Sequence, residues 1–392
     1  MAHLATILVG VGTGLFVYTY AVYPALLRVL GVGKARLGPL ADPGVWPTVS
    51  VSLPAYNEEH QIAEALESLL SLEYPRDRIQ ILVVSDASTD RTDDIVRAYG
   101  DRGVELLRLP ERRGKGAAET AATPHLTGDI VVNTDASVRI APDAVKLLIR
   151  QLSDREVGLA SGRDISVASG VENGNEGESK YVGYEMAIRH LETRVGSIVG
   201  ASGCFYAIRH HLHRVPLPIA LSRDFAAALH CRERGYRAVS VPEAICYVPR
   251  APSLRREYPR KVRTITRGLR TLIHKRHLMN PFRHGLFAWM LFSHKVCRWL
   301  VPWAGASALV GLALLARSEP WARAGILIAV AGLLMASIGW MASDRRDLPW
   351  FLGLPAFGLI GNVAAMHAVF RVMRGRQDAL WDPTRRVSAS GE

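Results

Sequence analysis

The stretch Val49-Ser50-Val51-Ser52-Leu53-Pro54-Ala55-Tyr56-Asn57-Glu58-Glu59 decides the architecture. Residues 49–53 read as a buried strand that runs straight into a polar, acidic loop, and residues 79–84 form a second such strand. Between them Ile62, Ala65, Leu66, Leu69 and Leu70 recur at the spacing of one helix face. A third strand, residues 130–133, follows a helix predicted around residues 116–122. Strand, helix, strand is the signature of an α/β unit with a mainly parallel sheet covered on both faces. In such sheets ligands sit beyond the carboxyl ends of the strands.

The polar motifs fall at those ends. After the second strand come Ser85-Asp86-Ala87-Ser88-Thr89-Asp90, and after the third Asn133-Thr134-Asp135-Ala136-Ser137. Singly each is weak, since Asp90 with Asp93 suits a helix cap and Asp86 a turn. Three carboxylate loops on one edge point to a binding rim.

Outside this region the chain changes solvent. Residues 4–27 are apolar, no basic residue precedes them, and no small-residue cleavage site follows, so a retained anchor is expected rather than a signal peptide. Lys34 and Arg36 come next, which by the positive-inside rule places the amino terminus outside and the polar region in the cytoplasm, at the inner membrane of the cell. Residues 299–316, 321–341 and 349–370 approach the ~20 apolar residues needed to cross a bilayer, with Arg323 near enough to an end to snorkel. Residues 285–299 mix Leu286, Phe287 and Trp289 with His294, Lys295 and Arg298; this piece is expected at the interface. Three crossings after a cytoplasmic region put the tail outside, whereas Arg371, Arg374, Arg376, Arg385 and Arg386 favour the inside. The resulting division is an anchor at 1–36, a catalytic domain at 47–250, basic interfacial helices at 251–298, membrane helices at 299–371 and a tail at 372–392.

The net charge of +12 is concentrated. Between residues 253 and 276 stand Arg255, Arg256, Arg260, Lys261, Arg263, Arg267, Arg270, Lys275 and Arg276 against one acid, Glu257. Such a run suits membrane lipids or a phosphate-bearing ligand. No zinc-finger, helix-turn-helix or aromatic RNA-binding signature accompanies it, so nucleic acid is not an expected partner. Cys204, Cys231, Cys246 and Cys297 lack the spacing of a zinc site or disulfide framework.

In sequence order, the Asn57-Glu58-Glu59 loop, Asp86, Lys115-Gly116, Asp135, Gly203-Cys204-Phe205, Asp224, Gly235-Tyr236-Arg237 and Arg260-Lys261-Val262-Arg263 resemble the inverting glycosyltransferases of family 2. The likeness is closest to the membrane-embedded subgroup of cellulose, chitin and hyaluronan synthases. It implies a GT-A, nucleotide-sugar-binding, Rossmann-like domain joined to transmembrane and interfacial helices, and transfer of a sugar from a UDP- or GDP-sugar to a glycan or lipid-linked acceptor. Processive growth of a cell-surface polysaccharide, a single transfer, and an idle scaffold are the alternatives.

What the resemblance implies for residues follows from the chemistry. Pro54, Tyr56, Asn57, Glu58 and Asp86 align with the donor-binding loops. Asp135 aligns with a carboxylate that holds Mg2+ or Mn2+ against the departing diphosphate, although Ser137 replaces the second acid of the family's Asp-x-Asp. Lys115 adds positive charge near the donor, or is a solvated helix-start lysine. Asp224 matches the single general base that inversion requires, its usual acidic neighbour replaced by Arg223; its rival role is a helix cap. A cation beside a base weakens it, but Arg223 and Asp224 are expected to point apart on extended backbone. Arg260 and Arg263 occupy the place of the synthases' Gln-x-x-Arg-Trp pattern and would grip the diphosphate, Thr264 replacing the tryptophan; headgroup binding is the other reading. Gly203, Cys204 and Phe205 would meet the acceptor.

Overall fold

The computed structural model describes residues 1–34, 41–167, 176–249, 254–343 and 349–375. Eight strands form one sheet: β1 (Val49–Ala55), β2 (Ile79–Ser85), β3 (Val104–Arg108), β4 (Ile130–Thr134), β5 (Arg139–Ile140), β6 (Val157–Val167), β7 (Phe205–Arg209) and β8 (Arg237–Pro249). Their spatial order is β3-β2-β1-β4-β7-β6-β8-β5. The helices are α1 (Ala2–Leu30), α2 (Ile62–Leu70), α3 (Thr92–Ala98), α4 (Lys115–Ala122), α5 (Ala144–Leu152), α6 (Glu176–Val195), α7 (Arg223–Glu233), α8 (Leu254–His274), α9 (Pro281–Leu315), α10 (Pro320–Met341) and α11 (Trp350–Met373).

The β1–β4 half is parallel, as expected. All seven residues of β1 are buried because helices cover both faces. On one face α2 contributes Ile62, Ala65, Leu66, Leu69 and Leu70, the residues whose spacing predicted it; each large aliphatic side chain stabilises by about 1.5–3 kcal/mol. On the other face Ser50 and Ser52 leave room for close approach, and a Cβ on Gly128 would stand 2.5 Å from the Ser50 nitrogen. Beyond β4 the sheet becomes mixed, since β7 pairs antiparallel to β4 and β6. Pairing direction depends on where long connections bring the chain back, which periodicity does not encode. The edge strand β3 was not expected; only Val104 of its residues is buried, so it lacks the apolar run that marked β1 and β2.

Helices α1, α9, α10 and α11 are long and apolar enough to cross a membrane. Residues 285–299 are continuous with α9, which bends at Gly285 (φ 50°, ψ −126°) and carries a π-helical turn at Phe292–Cys297. Its polar side chains turn inward onto α6, where His294 meets Glu192 at 2.6 Å and Glu185 at 3.2 Å, and Arg298 pairs with Glu185. These carboxylate partners offset part of the cost of burying His294 and Arg298. Arg36 and the tail residues Arg376, Trp381, Asp382, Pro383, Thr384, Arg385 and Arg386 lie outside the described residues.

Candidate active site

Parallel register sets Ala55 opposite Ser85, so the loops after β1 and β2 leave the sheet at one height. They clasp each other. The Thr89 amide donates to Asn57 Oδ1 (2.8 Å), the Glu58 amide to Thr92 Oγ1 (2.8 Å), and the Glu59 amide to Asp90 Oδ2 (3.1 Å). Asp90 also accepts from the Thr92 amide at 3.0 Å, the capping geometry open to it in the sequence. Asn57 and Ala87 have φ of +52° and +57°; alanine has no side-chain bond to offset this, a strain of order 1–3 kcal/mol concentrated on the rim. Pro54 is the penultimate residue of β1, and Tyr56 presents its ring to the Arg112 guanidinium at 3.9 Å.

Asp86 is buried and accepts from two backbone amides, Arg113 at 2.8 Å and Gly114 at 2.6 Å. It thereby fixes the loop entering α4. Gly114 sits at φ +88°, which a side chain would oppose. The next residue, Lys115, reaches across to pair with Asp135 at the end of β4 and lies 3.5 Å from the Gly203 carbonyl and 3.9 Å from Glu119. Burial works against the Lys115 charge, but Asp135 and then Glu119 outweigh it and hold the ammonium above the usual lysine range.

Gly203 joins this group to Asp224. A Cβ there would lie 3.4 Å from Asp224 Oδ2, an ordinary contact distance, so Asp224 stands against the same backbone segment that Lys115 approaches. Asp224 stands in the first turn of α7 and accepts from Ser222 Oγ at 2.6 Å. Arg223 and Asp224 are therefore on a helix start, not on extended backbone. They diverge because Arg223 is drawn to Glu119 at 3.8 Å, Thr120 Oγ1 at 3.1 Å and His213 Nε2 at 3.4 Å. Burial, and then Arg223, push His213 down to about 3, leaving a neutral ring that accepts this bond.

Two acids escaped the sequence reading. Glu119 is buried, and its carboxyl is raised by burial despite Lys115 and Arg223; its spacing four residues after Lys115 on a predicted helix was the available signal. Asp164 on β6 accepts from Ser202 Oγ at 2.5 Å and Cys246 Sγ at 3.4 Å, and burial raises it too. No local pattern marks it.

The acceptor loop divides. Gly203 faces the acids and the Cys204 amide bonds Ser202 Oγ at 3.0 Å, whereas Phe205 is fully buried in the core against Gly162. Arg260 pairs with Glu257 on its own helix at 2.6 Å. Helix α8 touches the rim through Thr271 Oγ1, which accepts from the Ser222 amide at 2.9 Å; Arg263 is two turns earlier, about 12 Å along the axis. The structure thus gathers Asp86, Lys115, Asp135, Gly203 and Asp224, with Arg263 set back along α8.

Asp135 offers carboxylate oxygens, suited to a hard cation, with the Lys115 ammonium beside them. Among the described residues no three His, Cys, Asp or Glu side chains close a metal cage. A cation on Asp135 therefore fits only as a site completed by phosphate and water oxygens, the ligation typical of Mg2+ beside nucleotides.

Residues 50–213 match the model of the glycosyl transferase family 2. An N-acetylglucosaminyltransferase of Bradyrhizobium elkanii is 31% identical over 123 residues, 30% of this chain and 67% of the relative. One from Mesorhizobium japonicum is 35% identical over 123 residues, 30% of this chain but only 28% of the relative's length. Among solved structures, the mannosyltransferase PcManGT from Pyrobaculum calidifontis, in complex with GDP-Man and Mn2+, shares the fold at a TM-score of 0.73 and 23% identity, over 96% of this chain and 99% of that one. The chain belongs to glycosyltransferase family 2 and has the GT-A fold with candidate membrane helices.

Proposed function

We propose that the protein is an inverting glycosyltransferase that moves a hexosyl or N-acetylhexosaminyl group from a nucleotide diphosphate to a growing glycan, from the cytoplasmic side of the inner membrane. The observation that carries the reading is that Lys115 bridges Asp135 and the Gly203 carbonyl while Asp224 also lies against Gly203. The loops organised by Asn57 and Asp86 hold the nucleotide. Asp135 would carry Mg2+ or Mn2+, which neutralises charge on the leaving diphosphate. Lys115 exchanges its carboxylate partner for phosphate oxygens as donor enters. Asp224, steadied by Ser222, accepts the acceptor hydroxyl's proton, and no covalent enzyme intermediate is needed. Arg263 is assigned to the diphosphate on the family pattern, from its place two turns back along α8, whereas Arg260 is held by Glu257; Gly203 and Cys204 admit the acceptor. The basic run of α8 supports a cytoplasmic catalytic face.

The test is Asp224→Asn. Turnover should fall by roughly 10²–10⁴, while binding of the donor, identified by screening labelled UDP- and GDP-sugars, persists; full turnover in this variant would remove Asp224 from the role. Thr264, standing where the synthases have tryptophan, favours a second reading, a single transfer to a lipid-linked acceptor. Product sizing separates them, one added sugar against a ladder.

A further inference from the structure

An open cleft of about 560 Å³ lies away from the acids, where the end of α7, the end of α8 and the start of α9 converge. Its charged lining is Arg234, Lys275, Arg283 and four histidines, His230, His274, His277 and His284, against the single acid Glu233. Glu233 is already engaged by Lys275 at 2.5 Å, His277 at 2.7 Å and His230 Nδ1 at 3.2 Å. Among the described residues Arg234 and Arg283 have no acidic partner. The cleft therefore keeps an excess of positive charge that its own carboxylate does not cancel.

A second observation points to a ligand. His230 is 4% exposed, donates through Nδ1 to Glu233, and leaves Nε2 buried without a hydrogen-bond partner. Burial holds the ring below the usual imidazole range, so with Nδ1–H given to Glu233 the neutral Nε2 is a buried acceptor, suited to a hydroxyl of a headgroup whose phosphate meets Arg234 and Arg283. Buried polar atoms without partners are uncommon and mark sites completed by something else.

The surroundings identify the kind of anion. The cleft borders the first turn of α9, where a candidate membrane span leaves the catalytic unit. Phe282 and Leu286, which flank the lining residues Arg283 and His284 in sequence, are 98% and 40% exposed, apolar side chains suited to an acyl region. We propose that this cleft binds the phosphate of one anionic lipid headgroup, independently of the sugar-transfer reading. Phosphate is the recognised chemistry, and its lipid source follows from the flanking apolar residues.

The experiment uses the full chain in mild detergent, with retained lipid counted by native mass spectrometry after adding phosphatidylglycerol or phosphatidylcholine. The wild type should hold one phosphatidylglycerol that the Arg234→Gln/Arg283→Gln variant holds about five- to tenfold more weakly, because two charge-assisted contacts are lost. The charge-matched control Arg97→Gln/Arg155→Gln, at exposed positions elsewhere, should retain it. Equal phosphatidylglycerol occupancy in wild type and cleft variant, or equal retention of phosphatidylcholine, overturns the proposal. A third arm adds inorganic phosphate alone: if it fills the site and phosphatidylglycerol does not, the lipid assignment falls.

Discussion

Arg223 stands next to the proposed base, yet Glu119 holds its guanidinium on the opposite side of the helix start. Glu119 is thus a positioning residue. Its replacement by glutamine should free Arg223 to approach Asp224, stabilising the carboxylate and making it a poorer proton acceptor. The expected outcome for Glu119→Gln is a kcat about tenfold lower with the acidic limb of the kcat/KM profile moved to lower pH; an unmoved limb would show that Glu119 only packs. The contrast with Asp86 and Asp135 explains what was legible. Those acids follow apolar strands directly, so strand periodicity alone places them on one rim. Asp164 and Glu119 reach the same site from the interior of β6 and α4, and only tertiary packing reveals that. Phe205 shows the converse, a residue chosen from motif position whose side chain belongs to the core.

At the scale of elements, hydropathy located the candidate spans but not their partners. Close contact between α1 and α9 rests on small residues: a Cβ on Gly12 would stand 2.4 Å from the Ala304 carbonyl oxygen, and one on Gly311 2.6 Å from that of Ala5. These glycines look like any others in an apolar run, because lipid-facing and helix-facing positions have similar hydropathy. Gly14 on the same helix has nothing within 4 Å. Gly12→Leu should therefore destabilise by at least about 1–3 kcal/mol through overpacking, and Gly14→Leu by much less. Denaturation of each variant in mixed dodecyl sulfate and maltoside micelles reads the difference. Equal midpoints would mean that α1 does not seat on α9 through this face.

The whole molecule depends on how the catalytic unit is fixed to its membrane helices, and a buried polar network does this. Glu192 on α6 accepts from Tyr23 on α1 at 2.7 Å, from His294 on α9 at 2.6 Å and from the Val199 amide at 3.2 Å. Burial opposes its charge, but His294, Tyr23 and Val199 prevail and hold its carboxyl below the usual range. Next to it Glu185 receives His294 and Arg298, while Lys34 donates to the Val195 carbonyl at 2.9 Å and Arg194 to that of Gly31 at 2.9 Å. Three elements distant in sequence therefore share one set of hydrogen bonds. Hydropathy scores the cost of His294 and Arg298 without knowing that Glu185 and Glu192 stand against them. Removing one member leaves the others buried and unpaired, so Glu192→Leu and His294→Phe should each cost about 3–5 kcal/mol, whereas the double variant should cost clearly less than their sum. Additive losses in a denaturation cycle would mean that the two side chains act separately and that the seam between membrane and catalytic unit is held by apolar packing alone.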